Sequence, residues 1–97
     1  MSAYLVAQAT VKDMDKLKEY AGQAVPMIEA VGGKRLLRGP IAQVLVGASD
    51  ANLCAVFSFP DRDTLQRWYD SDAYQALIPL RDEGADMTFL VVEDTPD

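Results

Sequence analysis

The stretch AYLVAQATV at residues 3–11 alternates as a strand does, yet neither of its sides is polar throughout, and this limits the fold more than any other feature. One side presents Tyr4, Val6, Gln8 and Thr10; the other presents Leu5, Ala7, Ala9 and Val11. LCAVFSF at 53–59 is more apolar still and reads as a central strand, and ADMTFLVVED at 85–94 reads as the last one. Across these strands both sheet faces carry apolar groups: Val6, Val56, and either Phe89 and Val91 or Leu90 and Val92. A sheet of this kind needs cover on two sides.

Helices can supply one cover. Asp13 caps a helix in which Met14, Leu17, Ala21, Ala24 and Ile28 recur at three- and four-residue steps, with Lys16, Lys18 and Glu19 turned outward. Pro26 inside that pattern predicts a kink or break near Gln23–Val25. Gly32-Gly33 ends the helix, because glycine adopts the left-handed cap conformation without a steric cost. KRLLRGPIAQVLVG at 34–47 reads as a long strand interrupted at Gly39-Pro40, a bulge or a sheet edge, since proline cannot donate to a central ladder. ASDAN at 48–52 reads as a hairpin turn.

The stretch PDRDTLQRWYDSDAYQALIPLRDEG, up to Gly84, is helical but broken. Asp61 caps its first piece and Asp63 supports the positive end of that piece. Ser71 caps a second piece that runs to about Leu77, where Pro79 ends it and a turn carries Arg81. The tail Thr95-Pro96-Asp97 reads as frayed.

The order β-α-β-β-α-β over one domain, residues 1–97, gives an α+β fold. Right-handed crossovers place two helices on one face of a four-stranded antiparallel sheet, a ferredoxin-like layout. The second cover must then come from elsewhere. A second copy, sheet against sheet, is the economical answer and would make a homodimer with a barrel-like interior.

Charge and residue types narrow the function. Nine Lys and Arg against fifteen Asp and Glu leave a net charge of −6, which argues against nucleic acid and against anionic membrane surfaces. No apolar run is long enough to span a membrane. The start, MSAYLVAQATVKDMD, lacks the basic region of a secretory signal, and the lone Cys54 has no partner for an internal disulfide, so a cytoplasmic location is expected. Cys54 itself is expected to be buried and inert. The chain has no histidine. That excludes Cys/His zinc sites and histidine-based nucleophile arrangements. No cofactor is implied.

YLVAQATVKDMDKLKEY, GGKRLLRG and FSFPDRDTLQRWYDSDAYQALIPLR together resemble a bacterial family of small proteins of unknown function in the dimeric α/β-barrel superfamily. The likeness runs from about Ala3 to Val92. It is most specific at Gly32-Gly33, Arg38-Gly39, Phe59-Pro60 and the run from Tyr69 through Ser71 and Tyr74 to Arg81. The resemblance implies a ferredoxin-like homodimer with a pocket between sheet and helices. It implies no reaction, because relatives by fold include cofactor-free monooxygenases, muconolactone isomerases, chlorite dismutases and haem-degrading enzymes. Two positions depart from the family. Val31 stands where a histidine often precedes the double glycine, and Val46 stands where an acidic residue often precedes the glycine that ends the second strand, here Gly47.

Four residues are candidates for binding a small organic molecule: Arg38, Tyr69, Tyr74 and Arg81. If Leu37 packs under the helices, Arg38 faces the open side of the sheet, where a guanidinium could grip a carboxylate. A dimer salt bridge to an acidic residue, or plain solvation at the strand end, is the alternative. Tyr74 and Arg81 are seven residues apart and would share a face of an unbroken helix. Core packing is the plainer role for Tyr74, and pairing with Asp82, Glu83 or Asp86 is the plainer role for Arg81. Trp68 and Tyr69, consecutive on a helix, point about 100° apart; the resemblance favours Tyr69 as the one that lines a cavity, with Trp68 packing on the sheet. Ser71 is a cap rather than a nucleophile, since no base stands ready to activate it. The expected function is binding of a carboxylate- or carbonyl-bearing molecule, with a cofactor-free oxygenase or isomerase as the enzymatic alternative and an interaction module as the non-catalytic one.

Overall fold

The computed structural model describes residues 2–95. Its elements run β1 (Ala3–Val11), α1 (Met14–Ala30), β2 (Lys34–Pro40), β3 (Leu53–Phe59), α2 (Arg62–Asp70), α3 (Asp72–Gln75), α4 (Ile78–Gly84) and β4 (Ala85–Glu93). The strands form one antiparallel sheet in the order β2-β3-β1-β4. This is the ferredoxin-like arrangement, with β2 and β4 at the edges. No helix among the described residues is long and apolar enough to cross a membrane. Of the tail expected to fray, Pro96 and Asp97 lie outside the described residues.

Register explains which side of the sheet is buried. Leu5 pairs with Phe57, Ala3 with Phe59 and Ala9 with Leu53, so these residues share the face under the helices. With Leu17, Tyr20, Ala24 and Ile28 of α1, Leu65 and Trp68 of α2, and Tyr74 of α3, they make the core. Burying each large side chain here contributes about 1.5–3 kcal/mol. The opposite face carries Tyr4, Val6 and Gln8 of β1, with Val56, Leu90 and Val92 opposite or beside them. Leu37, Leu90 and Val92 on that face are about half exposed. Cys54 lies there too, partly exposed rather than buried as expected.

The caps form as anticipated. Asp13 accepts from the backbone N–H groups of Asp15 and Lys16, and Asp61 from that of Thr64. At the far end of α1, Gly32 takes a φ of 87°, with Gly32 N–H on Glu29 O and Gly33 N–H on Ile28 O, a Schellman closure. A tighter requirement falls on Gly84. A Cβ there would lie 2.8 Å from the Leu17 amide nitrogen, and the Gly84 carbonyl accepts from both Lys12 and Asp13.

Several expectations are corrected. Pro26 does not break α1, which runs unbroken from Met14 to Ala30. Pro26 sits on the solvent side, and the carbonyl it leaves without a donor belongs to exposed Gly22, where water can take the place of the missing N–H. Met14 is exposed rather than part of the core stripe. The strand after Gly33 stops at Pro40, and residues 41–52 form a loop whose base closes through Ile41 N–H on Asn52 O. Gly47 therefore ends no strand, and Val46 beside it is 92 % exposed. Pro79 does not end the second helical piece. It opens a third, α4, in whose first turn the missing N–H would have had no partner anyway. The second crossover is thus three short helices, and Arg81 lies on a helix rather than a turn.

Candidate functional site

Alanine placement opens a gap between the layers. Ala7 of β1 and Ala55 of β3 are direct cross-strand partners, and both face α1, where Ala21 and Ala24 lie above them. Leu5, Phe57, Leu17 and Ile28 around them hold helix and sheet apart, so the short methyl side chains leave a cavity of about 90 Å³. Met87 and Phe89 of β4 and Trp68 of α2 complete its walls. Almost all of that lining is apolar. The polar side chains that reach it are Tyr20, Trp68, Arg35 and Arg38.

The two arginines come from the edge strand, and a bulge puts them there. Arg35 pairs with Phe57 and Arg38 with Ala55, both facing the helices, while Leu37 pairs with Val56 on the open face. In a regular strand residues three apart point to opposite faces. The register shifts by one residue between Arg35 and Leu37, with Leu36 as the extra residue, so both guanidinium side chains fall on the cavity side. Arg38 thus reaches the space between sheet and helices, not the open face, and Leu37 takes the place expected for Arg38. Both arginines are exposed, which sets them at the mouth, and neither is in an ion pair among the described residues.

The other three candidates gather behind this cavity. Ser71 joins α2 to α3: its hydroxyl donates to Trp68 O and accepts from the Tyr74 backbone N–H, which turns the chain between them. Tyr74 is fully buried. Its hydroxyl lies 2.8 Å from that of Tyr20 and accepts from Arg81 Nη1 at 3.2 Å. Arg81 also donates to Asp82 and lies over the ring of Phe89, 5.5 Å from its centroid. The Tyr69 ring packs 5.1 Å from that of Tyr74 and edge-on to Phe89. Tyr69, Tyr74 and Arg81 therefore meet, but against one another rather than around the cavity. They touch its wall from behind through Tyr20 and Phe89.

Trp68, not Tyr69, is the member of the aromatic pair that lines the cavity. Its side chain packs against Phe59 and Tyr74, and its Nε1–H is buried with no acceptor among the described residues. Tyr20 and Arg35 were missed by sequence reasoning. Tyr20 was legible in principle, since it falls three residues after Leu17 and four before Ala24 on the same helical stripe. Arg35 was not, because its face depends on the bulge.

The electrostatics make this a donor site. Burial pushes the Tyr20 phenol well above its ordinary range, and the neighbouring Tyr74 adds to the shift. Burial also raises Tyr74, although its hydrogen bonds with Tyr20 and Arg81 pull the other way. Burial works against the charge on Arg81, but the hydrogen bond to Tyr74 helps keep its pKa raised. Near neutral pH the tyrosines are therefore protonated. The cavity offers two cations at its mouth and an almost wholly apolar interior, a setting that can hold an anion with an apolar body.

The chain belongs to the family described as a domain of unknown function (DUF1330), whose model matches residues 2–95. No curated protein matches it. Among solved structures it is similar to a protein of unknown function from Rhodopseudomonas palustris, at 14 % identity and a TM-score of 0.80, over 99 % of this chain and 84 % of that one. It is similar to a dimeric ferredoxin-like protein of unknown function from Jannaschia sp. CCS1, at 12 % identity and 0.78, over 97 % and 100 %. It is also similar to a cofactor-independent oxygenase from Streptomyces nogalater, at 8 % identity and 0.72, over 99 % and 95 %. At these identities the likeness is one of fold.

Proposed function

We propose that this member of the DUF1330 family binds a small carboxylate- or carbonyl-bearing organic molecule in the cavity between the sheet and α1. The observation that carries the reading is the pair Arg35 and Arg38, at the mouth of an otherwise apolar space and in no ion pair among the described residues. Two guanidinium groups at one mouth suit a carboxylate, which can accept charge-assisted hydrogen bonds. The apolar walls suit a short hydrocarbon or aromatic body. Tyr69, Tyr74 and Arg81 serve the ligand by holding Phe89 and Tyr20 in place from behind.

The binding unit is a homodimer paired through the open sheet face. Exposed Leu37, Leu90 and Val92 support this, as does the dimeric state stated for the Jannaschia protein. A cytoplasmic setting fits the free Cys54. Catalysis is the second reading. The hydroxyl chain from Arg81 through Tyr74 to Tyr20 favours it, as does the fold shared with the Streptomyces oxygenase. A pure interaction module has no use for a cavity with cations at its mouth.

Calorimetric titration with 3-phenylpropanoate, 4-methylpentanoate and pentanoate tests the binding reading. At least one should bind, and Arg38→Ala or Arg35→Ala should weaken it by about tenfold, the order expected for one charge-assisted hydrogen bond. Equal affinity in wild type and both variants would remove the site from the arginine pair. Turnover of a bound acid under air would then separate enzyme from binder.

A further inference from the structure

We propose that the loop at residues 41–52 is an arm that each copy lays on the other in the dimer, with Leu45 and Val46 packing on the partner's open sheet face. This rests on the paired-sheet reading above but is carried by a different observation. Val44, Leu45 and Val46 are 44, 84 and 92 % exposed, and the last two are the most exposed large apolar side chains among the described residues. The segment IAQVLVGASDAN holds seven apolar residues and a single charge, Asp50. A loop of this length with no helix or strand of its own is uncommon and usually serves a function. Three adjacent apolar side chains in water call for a partner.

The way the loop is held ties it to the open side of the sheet. Its base closes through Ile41 N–H on Asn52 O, and Asn52 N–H bonds onward to Ala9 O. The Thr10 hydroxyl donates to Asp50 O at 3.0 Å. Thr10 shares the face of Tyr4, Val6 and Gln8, so the returning leg is fixed on the side away from the helices. A turn at Gly47, with a φ of 86°, and the exposure of Leu45 and Val46 leave the tip standing clear of its own core. Leu45 is four residues from Ile41, a reach of up to about 13 Å at roughly 3.3 Å per residue. Two packed sheets lie about 10 Å apart, so the tip can span the gap to a second copy. That copy offers Leu90 and Val92, about half exposed on the same face. The Cα frame of 35 × 32 × 17 Å is a slab, broad enough for the roughly 800 Å² that each partner gives to a standard interface. Two-fold pairing lets each copy give one arm and receive one. A membrane is a poorer occupant, because the net charge is −6 and the loop has no Lys or Arg to meet lipid headgroups.

Sedimentation over a dilution series gives the dimer dissociation constant of the wild type and of Leu45→Ser combined with Val46→Ser. Both side chains are exposed in the single chain, so the variant keeps its fold. Its dissociation constant should rise by about tenfold or more, since two apolar tips leave the joint at once. A mixed sample of isotope-labelled and unlabelled wild type supplies a second readout. Nuclear Overhauser contacts filtered for pairs between copies should join the Leu45 methyls of one to the Leu90 or Val92 methyls of the other. An unchanged dissociation constant, or Leu45 contacts confined to its own copy, overturns the arm and leaves the paired sheets standing. A wild type that stays monomeric at every concentration overturns both. Flotation of the wild type with phosphatidylcholine vesicles, lost in the serine variant while the dimer is unchanged, assigns the tip to lipid and also overturns the arm.

Discussion

The hydroxyls of Tyr20 on α1 and Tyr74 on α3 stand 2.8 Å apart in the core, joining residues 54 positions apart in the chain. Arg81 donates to the second of them. Removing the Tyr74 hydroxyl strips partners from both Tyr20 and Arg81, whereas removing that of Tyr20 leaves Tyr74 still bonded to Arg81. Tyr74→Phe should therefore cost about 2–3 kcal/mol and Tyr20→Phe about 1 kcal/mol. Urea unfolding of the two variants checks the order, and a larger loss in Tyr20→Phe would contradict it.

The same pair predicts how stability responds to alkali. Burial raises both phenols above their ordinary value of 10.0. The folded chain then keeps protons that the unfolded chain gives up. The stabilisation is complete below about pH 10 and is lost as pH rises beyond it. In a spectrophotometric titration the phenolates of Tyr20 and Tyr74 should appear together with the loss of near-ultraviolet dichroism. Their appearance before any loss of dichroism would place them closer to solvent than the structure does.

Deleting Leu36 should leave anion binding in place. The deletion removes the bulge residue and makes β2 a regular strand in which Arg35 and Arg38 stand two positions apart, still on the cavity side. Carboxylate affinity should stay within about threefold of wild type, and stability should change by about 1 kcal/mol or less, because β2 is an exposed edge. Isothermal titration and thermal melting on one sample measure both, and a tenfold loss of affinity would contradict the role given to the bulge.

Two glycines should respond in opposite directions to alanine. Gly84→Ala drives a Cβ to within 2.8 Å of the Leu17 backbone and should destabilise by about 2–3 kcal/mol. Gly22, inside α1, has open space where its Cβ would be. Gly22→Ala should stabilise by about 0.5–1 kcal/mol through helix propensity. Denaturation midpoints of the pair give the comparison.

The open sheet face predicts the oligomeric state. Leu90 lies on that face on the edge strand β4, opposite Val6, and is about half exposed in a single chain. Wild-type protein should sediment as a dimer at micromolar concentration, and Leu90→Lys as a monomer, since the charge would be buried in the joint. A wild-type monomer under these conditions would refute the proposed pairing.

Local chemistry was legible in the sequence, and geometry that depends on neighbours was not. Asp13, Asp61, Ser71 and Gly32 declared their caps because each is a residue type suited to one backbone task. The sheet order followed from the alternation of strands and helices. Pro26 and Pro79 misled because the cost of a proline depends on what its missing N–H would have bonded: an exposed Gly22 carbonyl that water can reach in one case, and no partner at a helix start in the other. Arg38 was recognised and assigned the wrong face, because a bulge moves every side chain beyond it to the other side without a mark in composition. Trp68 and Tyr69 were interchanged for a related reason. Adjacent aromatics differ only in which way the helix is rolled, and that is set by Phe59 and Tyr74 across the core.

Both cations at the cavity mouth belong to β2, an edge strand in which all but one residue is exposed. The buried side chains that hold the protein together lie on other elements. The charge at the mouth and the core packing are thus written on different parts of the chain. Substitutions along 34–40 can change the charge, spacing and reach of the mouth at little cost to stability. A scaffold divided in this way can diverge quickly in what it holds while its architecture stays the same.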